Sequence, residues 1–170
     1  MADSLRARLV QMACDISNQL RDVAEVSVED VLARGVDQFV FVDVRPHAER
    51  DVSMIPGAVT AEEFARQQMA AAASSHRASD EAADAGPGDD AHAREEKRTI
   101  VAYCTAGYRS GVFAREQNRQ GQPVVNLRGG LLSWCDQQQP LTTADGQPTR
   151  RVHVYSRMWN LVSEPYEGVW

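Results

Sequence analysis

The chain has 170 residues and a net charge of −6, which argues against a nucleic-acid or anionic-membrane partner. Its three cysteines leave one unpaired in any disulfide scheme, and none of them forms a metal-type C-x-x-C pair. We therefore expect free thiols and no metal site.

Residues 1–25 are predicted to form an amphipathic N-terminal helix. They contain Asp3 and Asp15 and no apolar run typical of a secretory signal, and no later run approaches the length of a membrane span. A soluble, cytoplasmic protein is therefore expected. The apolar residues that recur every three or four positions are Leu5, Leu9, Met12, Ile16, Leu20 and Val23.

The next signals predict a short helix, a buried strand and a turn. Ser27 and Gly35 are typical of the first and last boundaries of a helix over 28–34. The apolar run 39–42 predicts a strand that ends at Asp43. Pro46 suits the first position of a helical stub, and a turn at residues 55–57 leads to a short strand.

A change in composition follows a helix-prone stretch that begins at Glu62. The segment of about 72–97 is rich in Ala, Ser, Asp and Glu, and no large apolar residue occurs between Met69 and Ile100. Such a segment cannot bury enough surface to offset the entropy of ordering. We predict a disordered surface insertion.

Regular structure is predicted again from Thr99 to the end of the chain. A strand over 99–103, a helix over 110–120 and a strand over 124–127 precede a turn and a helix that begins at Leu131. Strands that alternate with helices predict an α/β fold with a mostly parallel sheet. Because ligands bind beyond the carboxyl ends of such strands, Cys104 lies where a site is expected.

The loop after this strand has the residue types of an anion cradle around a thiol. The thiolate is the nucleophilic form of cysteine, and it is favoured by converging N–H groups and a helix N-terminus. Arg109 adds a positive charge or braces the loop, and Ser110 caps the helix or donates to the sulfur. The alternative is that Cys104 is a small buried hydrophobe. The candidate cradle residues are Thr105, Ala106, Gly107, Tyr108, Arg109 and Ser110.

Four sequence blocks, in the order in which they occur along the chain, resemble those of the rhodanese-like family of sulfurtransferases. The resemblance implies a three-layer α/β/α fold with a five-stranded parallel sheet over residues 26–140, and a C-terminal extension over 141–170 that packs on the core. The blocks are Val42-Asp43-Val44-Arg45 with Glu49; Ile55-Pro56-Gly57-Ala58; Tyr103-Cys104 with Gly107, Arg109 and Ser110; and Asn126-Leu127 with Gly129, Gly130 and Trp134.

The resemblance also implies an activity. The catalytic Cys104 would take a sulfane sulfur from thiosulfate or from a small-molecule or protein persulfide. It would then pass the sulfur to a thiophilic acceptor, with no cofactor. Tyr108 stands where some relatives have a basic residue that attracts thiosulfate, so thiosulfate is the less favoured natural donor.

Two other functions are compatible with the same fold. Related dual-specificity phosphatases and arsenate reductases have five residues between the cysteine and the arginine, whereas four separate Cys104 from Arg109. This spacing favours sulfur transfer. The other alternative is a non-catalytic sensing or docking module, in which the insertion and the C-terminal extension form the interface.

The remaining candidates have supporting roles. Asp43 and Arg45 are expected to tie the end of a strand to neighbouring loops. The tail contains an H-x-Y-S-x-x-W pattern that resembles single-domain relatives with a similar loop. Its aromatic residues either pack on the core or place His153 or Tyr155 over the Cys104 pocket.

Overall fold

The computed structural model describes residues 2–81 and 98–170. The helices in these ranges are α1 (Ala2–Gln19), α2 (Val28–Arg34), α3 (His47–Val52), α4 (Ala61–Glu81), α5 (Tyr108–Arg119) and α6 (Gly130–Asp136). The strands are β1 (Glu25–Val26), β2 (Phe39–Asp43), β3 (Val59–Thr60), β4 (Thr99–Tyr103), β5 (Val124–Leu127), β6 (Leu141–Thr142), β7 (Pro148–Thr149), β8 (Arg151–His153) and β9 (Glu167–Val169).

The first five strands form one parallel sheet in the order β1-β5-β4-β2-β3, which confirms the predicted architecture. The central strand is β4, flanked by β2 and β5. Its residue Ala102 pairs with Val42 on one side and with Asn126 on the other. Because every strand runs the same way, their carboxyl ends meet at one edge, and Cys104 follows β4 at the middle of that edge.

Helices cover both faces of the sheet, which makes three layers. Side chains alternate along β4, so Val101 and Tyr103 join one core cluster and Ala102 joins the other. Helices α2 and α6 pack in the first cluster, and α4 and α5 pack in the second. The strongly apolar sequence of the inner strands follows from this burial on both sides.

Three boundaries differ from the sequence prediction. Helix α1 ends at Gln19 within the predicted helix 1–25, although Leu20 and Val23 remain buried in the following turn. Helix α5 begins two residues before Ser110. Helix α4 continues to Glu81, ten residues into the predicted insertion of 72–97.

The extension of α4 has a compositional reason. Alanine has the highest helix propensity, and the run that begins at Ala70 is rich in it. The prediction of disorder rests on the lack of apolar residues to bury and does not include this helix propensity. The rest of the predicted insertion, 82–97, lies outside the described residues.

The C-terminal segment packs on the sheet domain. Strands β6 and β7 form an antiparallel pair, and β8 and β9 form a parallel pair. Val152, Val154 and Leu161 are buried in the same core cluster as the first face of the sheet. In residues 2–81 and 98–170, no helix is both long and apolar enough to cross a membrane.

Candidate active site

Cys104 lies directly after the central strand, with only 2% of its surface exposed. Gly107, in a left-handed conformation with φ of 99°, is the N-cap of α5. Its positive φ turns the chain sharply from the strand into the helix, a conformation that favours glycine. The thiol therefore faces the N-terminus of a 12-residue helix.

Two groups of the loop approach the sulfur of Cys104. The Gly107 N–H donates to Sγ at 3.1 Å, and the Ser110 hydroxyl lies 3.5 Å from it. The N–H groups in the first turn of a helix have no intrahelical acceptor, and Gly107 has no side chain that could cap them. This combination favours an anion at or beyond Sγ.

Ser110 is held by a chain of side chains behind the loop. Its hydroxyl donates to Asn126 Oδ1 at 2.7 Å, and Asn126 Nδ2 donates to Glu25 Oε1 at 3.0 Å. Glu25 and Asn126 pair in the register of β1 and β5. Asn126 belongs to one of the four sequence blocks, whereas Glu25 is a residue that the sequence does not predict at the site, because a link across about a hundred residues leaves no local signal.

Arg109 is clamped by a carboxylate from α3. Its two terminal nitrogens donate to Glu49 Oε1 at 2.7 Å and Oε2 at 2.8 Å, and the Thr105 hydroxyl donates to Oε2 at 3.1 Å. These bonds to Glu49 raise the pKa of Arg109. Burial opposes the charge of Glu49, but the bonds from Arg109 and Thr105 hold its pKa below the ordinary 4.5. The guanidinium therefore braces the loop as well as supplying charge.

The start of α6 holds the base of the loop. Leu131 N–H donates to the carbonyl of Cys104 at 2.8 Å, and Leu132 N–H donates to that of Thr105 at 3.1 Å. This approach requires Gly130, which has a φ of 57°, because a Cβ there would lie 2.3 Å from the Cys104 carbonyl oxygen. The two-glycine block thus fixes the loop rather than contacting the sulfur.

Asp43 and Arg45 form a fully buried ion pair behind the loop. Arg45 Nη2 donates to Asp43 Oδ2 and to the Ser53 carbonyl, both at 2.6 Å. Although burial opposes its charge, the carboxylate of Asp43 holds the pKa of Arg45 above its usual range. The pair links the end of β2 to the end of α3.

A pocket of about 520 Å³ opens over Cys104. Tyr155 lines it, as the sequence allowed, whereas His153 is not among the described residues that do. His153 lies between the inward-facing Val152 and Val154, and its Nδ1 accepts the Tyr155 N–H at 3.2 Å. The lining residues are Ile16, Gln19, Cys104, Thr105, Ala106, Tyr108, Arg109, Val154, Tyr155 and Trp159.

The pocket therefore contains groups that sequence analysis did not assign to the site. Ile16 is predicted from the sequence only as an apolar position of the N-terminal helix, and Trp159 only as an aromatic residue of the tail pattern. Gln19 is not singled out by any sequence signal. Nothing in a single sequence places a helix at residue 16 beside a turn at residue 159. The aromatic residues at the end of the H-x-Y-S-x-x-W pattern were the available signal.

The other two thiols differ from Cys104 in their surroundings. Cys14 is exposed on α1, and Cys135 is buried in α6, where burial raises its pKa to about 12. Cys135 is thus a protonated thiol at neutral pH. Among the described residues, no group of three His, Cys, Asp or Glu side chains is arranged to hold a metal ion.

Comparison with known families gives one domain match. The model of the family described as "Rhodanese-like domain" matches residues 27–137. The matched segment contains the whole parallel sheet except Glu25 and Val26, together with the cysteine loop. It excludes α1 and the C-terminal segment. No curated protein matches the chain.

Solved structures are similar to the chain at low sequence identity. The thiosulfate sulfurtransferase of Pseudomonas aeruginosa is 22% identical with a TM-score of 0.52; the match covers 85% of this chain but only 24% of that one. A rhodanese-related protein of Thermoplasma volcanium is 16% identical (TM-score 0.48, 70% of this chain, 97% of that chain). A protein of Rhodopseudomonas palustris described as a possible tyrosine phosphatase is 20% identical (TM-score 0.47, 78% and 92%).

Proposed function

Because the chain belongs to the rhodanese-like domain family, we propose that it is a sulfurtransferase that carries a sulfane sulfur on Cys104. The observation that supports this most is the position of the Cys104 sulfur. It accepts the Gly107 N–H at the uncapped N-terminus of α5, and Arg109 follows after four intervening residues. This site offers donors to one small anionic atom attached to the cysteine.

The reaction has two displacements. The Cys104 thiolate attacks the sulfane sulfur of a donor, so a new S–S bond forms as the donor's bond to that sulfur breaks and its remainder leaves as an anion. A thiophilic acceptor then attacks the outer sulfur, and the Cys104 thiolate leaves. Both steps move an electron pair between sulfurs without net oxidation, so they need no cofactor.

The chain's own residues have distinct tasks in this scheme. The Gly107 N–H and the N–H groups in the first turn of α5 stabilise the thiolate and then the outer sulfur of the persulfide. Ser110 adds a hydroxyl beside Sγ. Glu49 and Thr105 hold Arg109 so that its charge stays at the rim of the loop.

Donors and acceptors are proposed as chemical classes. The donor is thiosulfate or a small-molecule or protein persulfide, and the acceptor is a thiophilic anion or thiol. We place the activity in the cytoplasm, since the exposed free thiol of Cys14 is compatible with a reducing compartment.

Intact-mass analysis tests the proposal directly. Incubation with a sulfane donor should add the mass of one sulfur atom to Cys104, and cyanide should remove it as thiocyanate. The Cys104→Ser variant should lose both the adduct and turnover, whereas Cys14→Ser should retain them.

The proposal is wrong if thiosulfate, mercaptopyruvate and low-molecular-weight persulfides all leave Cys104 unmodified and give no thiocyanate. Turnover of an aryl phosphate that disappears in Cys104→Ser would instead indicate phosphatase chemistry.

A further inference from the structure

The pocket over Cys104 is lined by residues from two parts of the chain. Five of its lining residues belong to the cysteine loop and the first turn of α5. The other five lie outside the segment that matches the family. They come from α1 and from the C-terminal segment, and they are Ile16, Gln19, Val154, Tyr155 and Trp159.

Large aromatic side chains surround the opening. Tyr108 is 49% exposed, Tyr155 71% and Trp159 39%. Clustered exposed aromatics at a concave site mark a binding surface more often than a packing defect. Trp159 also borders a second cavity of about 470 Å³ along α1, which is lined by apolar residues such as Met12 and by polar residues such as Asp15.

The backbone holds Tyr155 in an unusual conformation. Tyr155 has a φ of 66°, and the Ser156 N–H donates to the Val154 carbonyl at 2.7 Å across it. This is a γ-turn with a positive φ at its centre, which is rare and strained. The His153 ring accepts the Tyr155 N–H and stabilises the turn. Strain of this kind concentrates at functional sites, and here it places an aromatic ring at the pocket.

The charge of the pocket is low. Arg109 is the one charged side chain among the lining residues that the structure describes, and Glu49 already neutralises it in a two-bond ion pair. The sulfonate end of thiosulfate would extend beyond the N–H donors of the loop and give up its hydration for little compensation from the rest of the lining. An aromatic or apolar group would gain contact with Tyr155, Trp159 and Ile16.

From these observations we propose that the pocket binds the organic part of an apolar or aromatic sulfane donor, with its sulfane sulfur directed at Cys104. The α1 and tail residues set this preference, and it rests on the sulfur-transfer function proposed above. With a persulfide R–S–SH, the Cys104 thiolate attacks the terminal sulfur, and the S–S bond between that sulfur and the R–S group breaks. Cys104–S–SH forms and the thiolate R–S⁻ leaves.

A matched pair of donors isolates the organic part. Benzenethiosulfonate and methanethiosulfonate present the same reacting sulfur and the same sulfinate leaving-group type, and they differ by phenyl against methyl. With cyanide as acceptor, wild type should show a kcat/KM about tenfold or more higher for the phenyl donor, because the ring buries additional apolar surface.

Two variants and a control locate the preference. Trp159→Ala and Tyr155→Asn should each reduce the phenyl-to-methyl ratio by about threefold or more, because the phenyl donor loses more contact area than the methyl donor. Asparagine is chosen because it tolerates a positive φ. Trp170→Ala removes an aromatic of similar exposure outside the pocket lining and should leave the ratio unchanged.

The outcomes separate this inference from the proposed function. Equal kcat/KM for the two donors in wild type, or a ratio that neither pocket variant changes, would overturn the inference while Cys104-dependent turnover keeps sulfur transfer in place. Loss of transfer from a protein persulfide alone, with both small donors unaffected by Trp159→Ala, would assign the surface to a protein partner. If neither donor gives Cys104-dependent thiocyanate, the proposed function fails first.

Discussion

Glu49 connects α3 to both polar side chains at the rim of the cysteine loop. Only about 5% of its side chain is exposed, and its two oxygens accept bonds from Arg109 and Thr105. A carboxylate in this position is stable because each oxygen has a charged or hydroxyl donor. The loop conformation therefore depends on the ionised form of a residue that is not in the loop.

Replacing Glu49 with Gln tests this dependence through pH. The pKa of Glu49 is below 4.5 in the folded protein, so the ionised clamp stabilises the fold above about pH 4.5 and is lost as the pH falls through the folded-state pKa. Near pH 7 the variant should be less stable than wild type by roughly 1–3 kcal/mol. It should therefore melt at a lower temperature. The difference from wild type should decrease as the pH falls below 4.5. Thermal melts across pH 3–7 measure it.

Glu116→Gln is the matched control for this experiment. Glu116 is exposed on α5 and bonds only to Gln120 in the described structure. Its melting temperature should stay close to that of wild type at neutral pH. A difference between wild type and Glu49→Gln that is constant across the pH range would contradict the clamp.

At the residue scale, the sequence predicted what is local. The order of Cys104, Gly107 and Ser110 defines a strand, a turn and a helix start, and all three lie together in the structure. The partners Glu49 and Glu25 could not be predicted, since pairing depends on how α3 and β1 meet the loop. His153 was ambiguous because strand alternation could direct it to either side.

At the scale of elements, α6 can pack closely against the cysteine loop because Gly130 has no side chain. The N-terminus of α6 donates to the carbonyls of Cys104 and Thr105 rather than to an N-cap side chain of its own. These loop carbonyls in turn compensate the unpaired N–H groups of the helix. Any atom between the two elements would displace the backbone beside the Cys104 sulfur.

The substitution Gly130→Ala should displace the backbone of the cysteine loop. The new Cβ would meet backbone atoms at 2.3 and 2.9 Å, none of them a flexible side-chain end. We expect a loss of about 2–4 kcal/mol, from overpacking and from the positive φ together. Sulfur transfer should fall at least tenfold even where the variant is folded, because the Cys104 carbonyl must move.

Gly121→Ala provides the comparison. It has a similar positive φ of 83° but no atom within 4 Å of the added Cβ. Its cost should be the backbone strain alone, about 1 kcal/mol, with activity retained. Urea unfolding and thiocyanate formation measure both variants, and equal losses in the two would refute the steric explanation.

At the scale of the whole molecule, the C-terminal segment belongs to the core. Val152 and Val154 are fully buried and Leu161 is 7% exposed, all in the cluster that contains Phe41 and Trp134. The segment therefore does more than border the pocket. Its removal would expose part of the core cluster on one face of the parallel sheet.

Deleting residues 151–170 should destabilise the protein by on the order of 5 kcal/mol, since each buried Val or Leu contributes about 1.5–3 kcal/mol. Thermal or urea unfolding checks this, and deletion of exposed Trp170 alone should have little effect. A melting temperature unchanged by the longer deletion would show that the segment does not contribute to the stability of the core. Partner-binding assays with that truncation would report unfolding as well as a lost surface.

The sequence predicted the parallel sheet but not the short strand pairs of the C-terminal segment. Alternating strands and helices predicted the parallel sheet, because both patterns are periodic and local. The β6–β7 and β8–β9 pairs were not predicted, since strands of two or three residues carry too little periodicity. The extent of α4 was underestimated because alanine supports a helix without an apolar face.

Trp159 has an optical consequence. Of the three tryptophans, Trp134 lies in the core and Trp170 is largely in water, whereas Trp159 borders the opening above Cys104. An indole changes its fluorescence when water around it is replaced or when a sulfur-rich quencher approaches. The molecule therefore carries its own emission signal for the filling and emptying of the pocket.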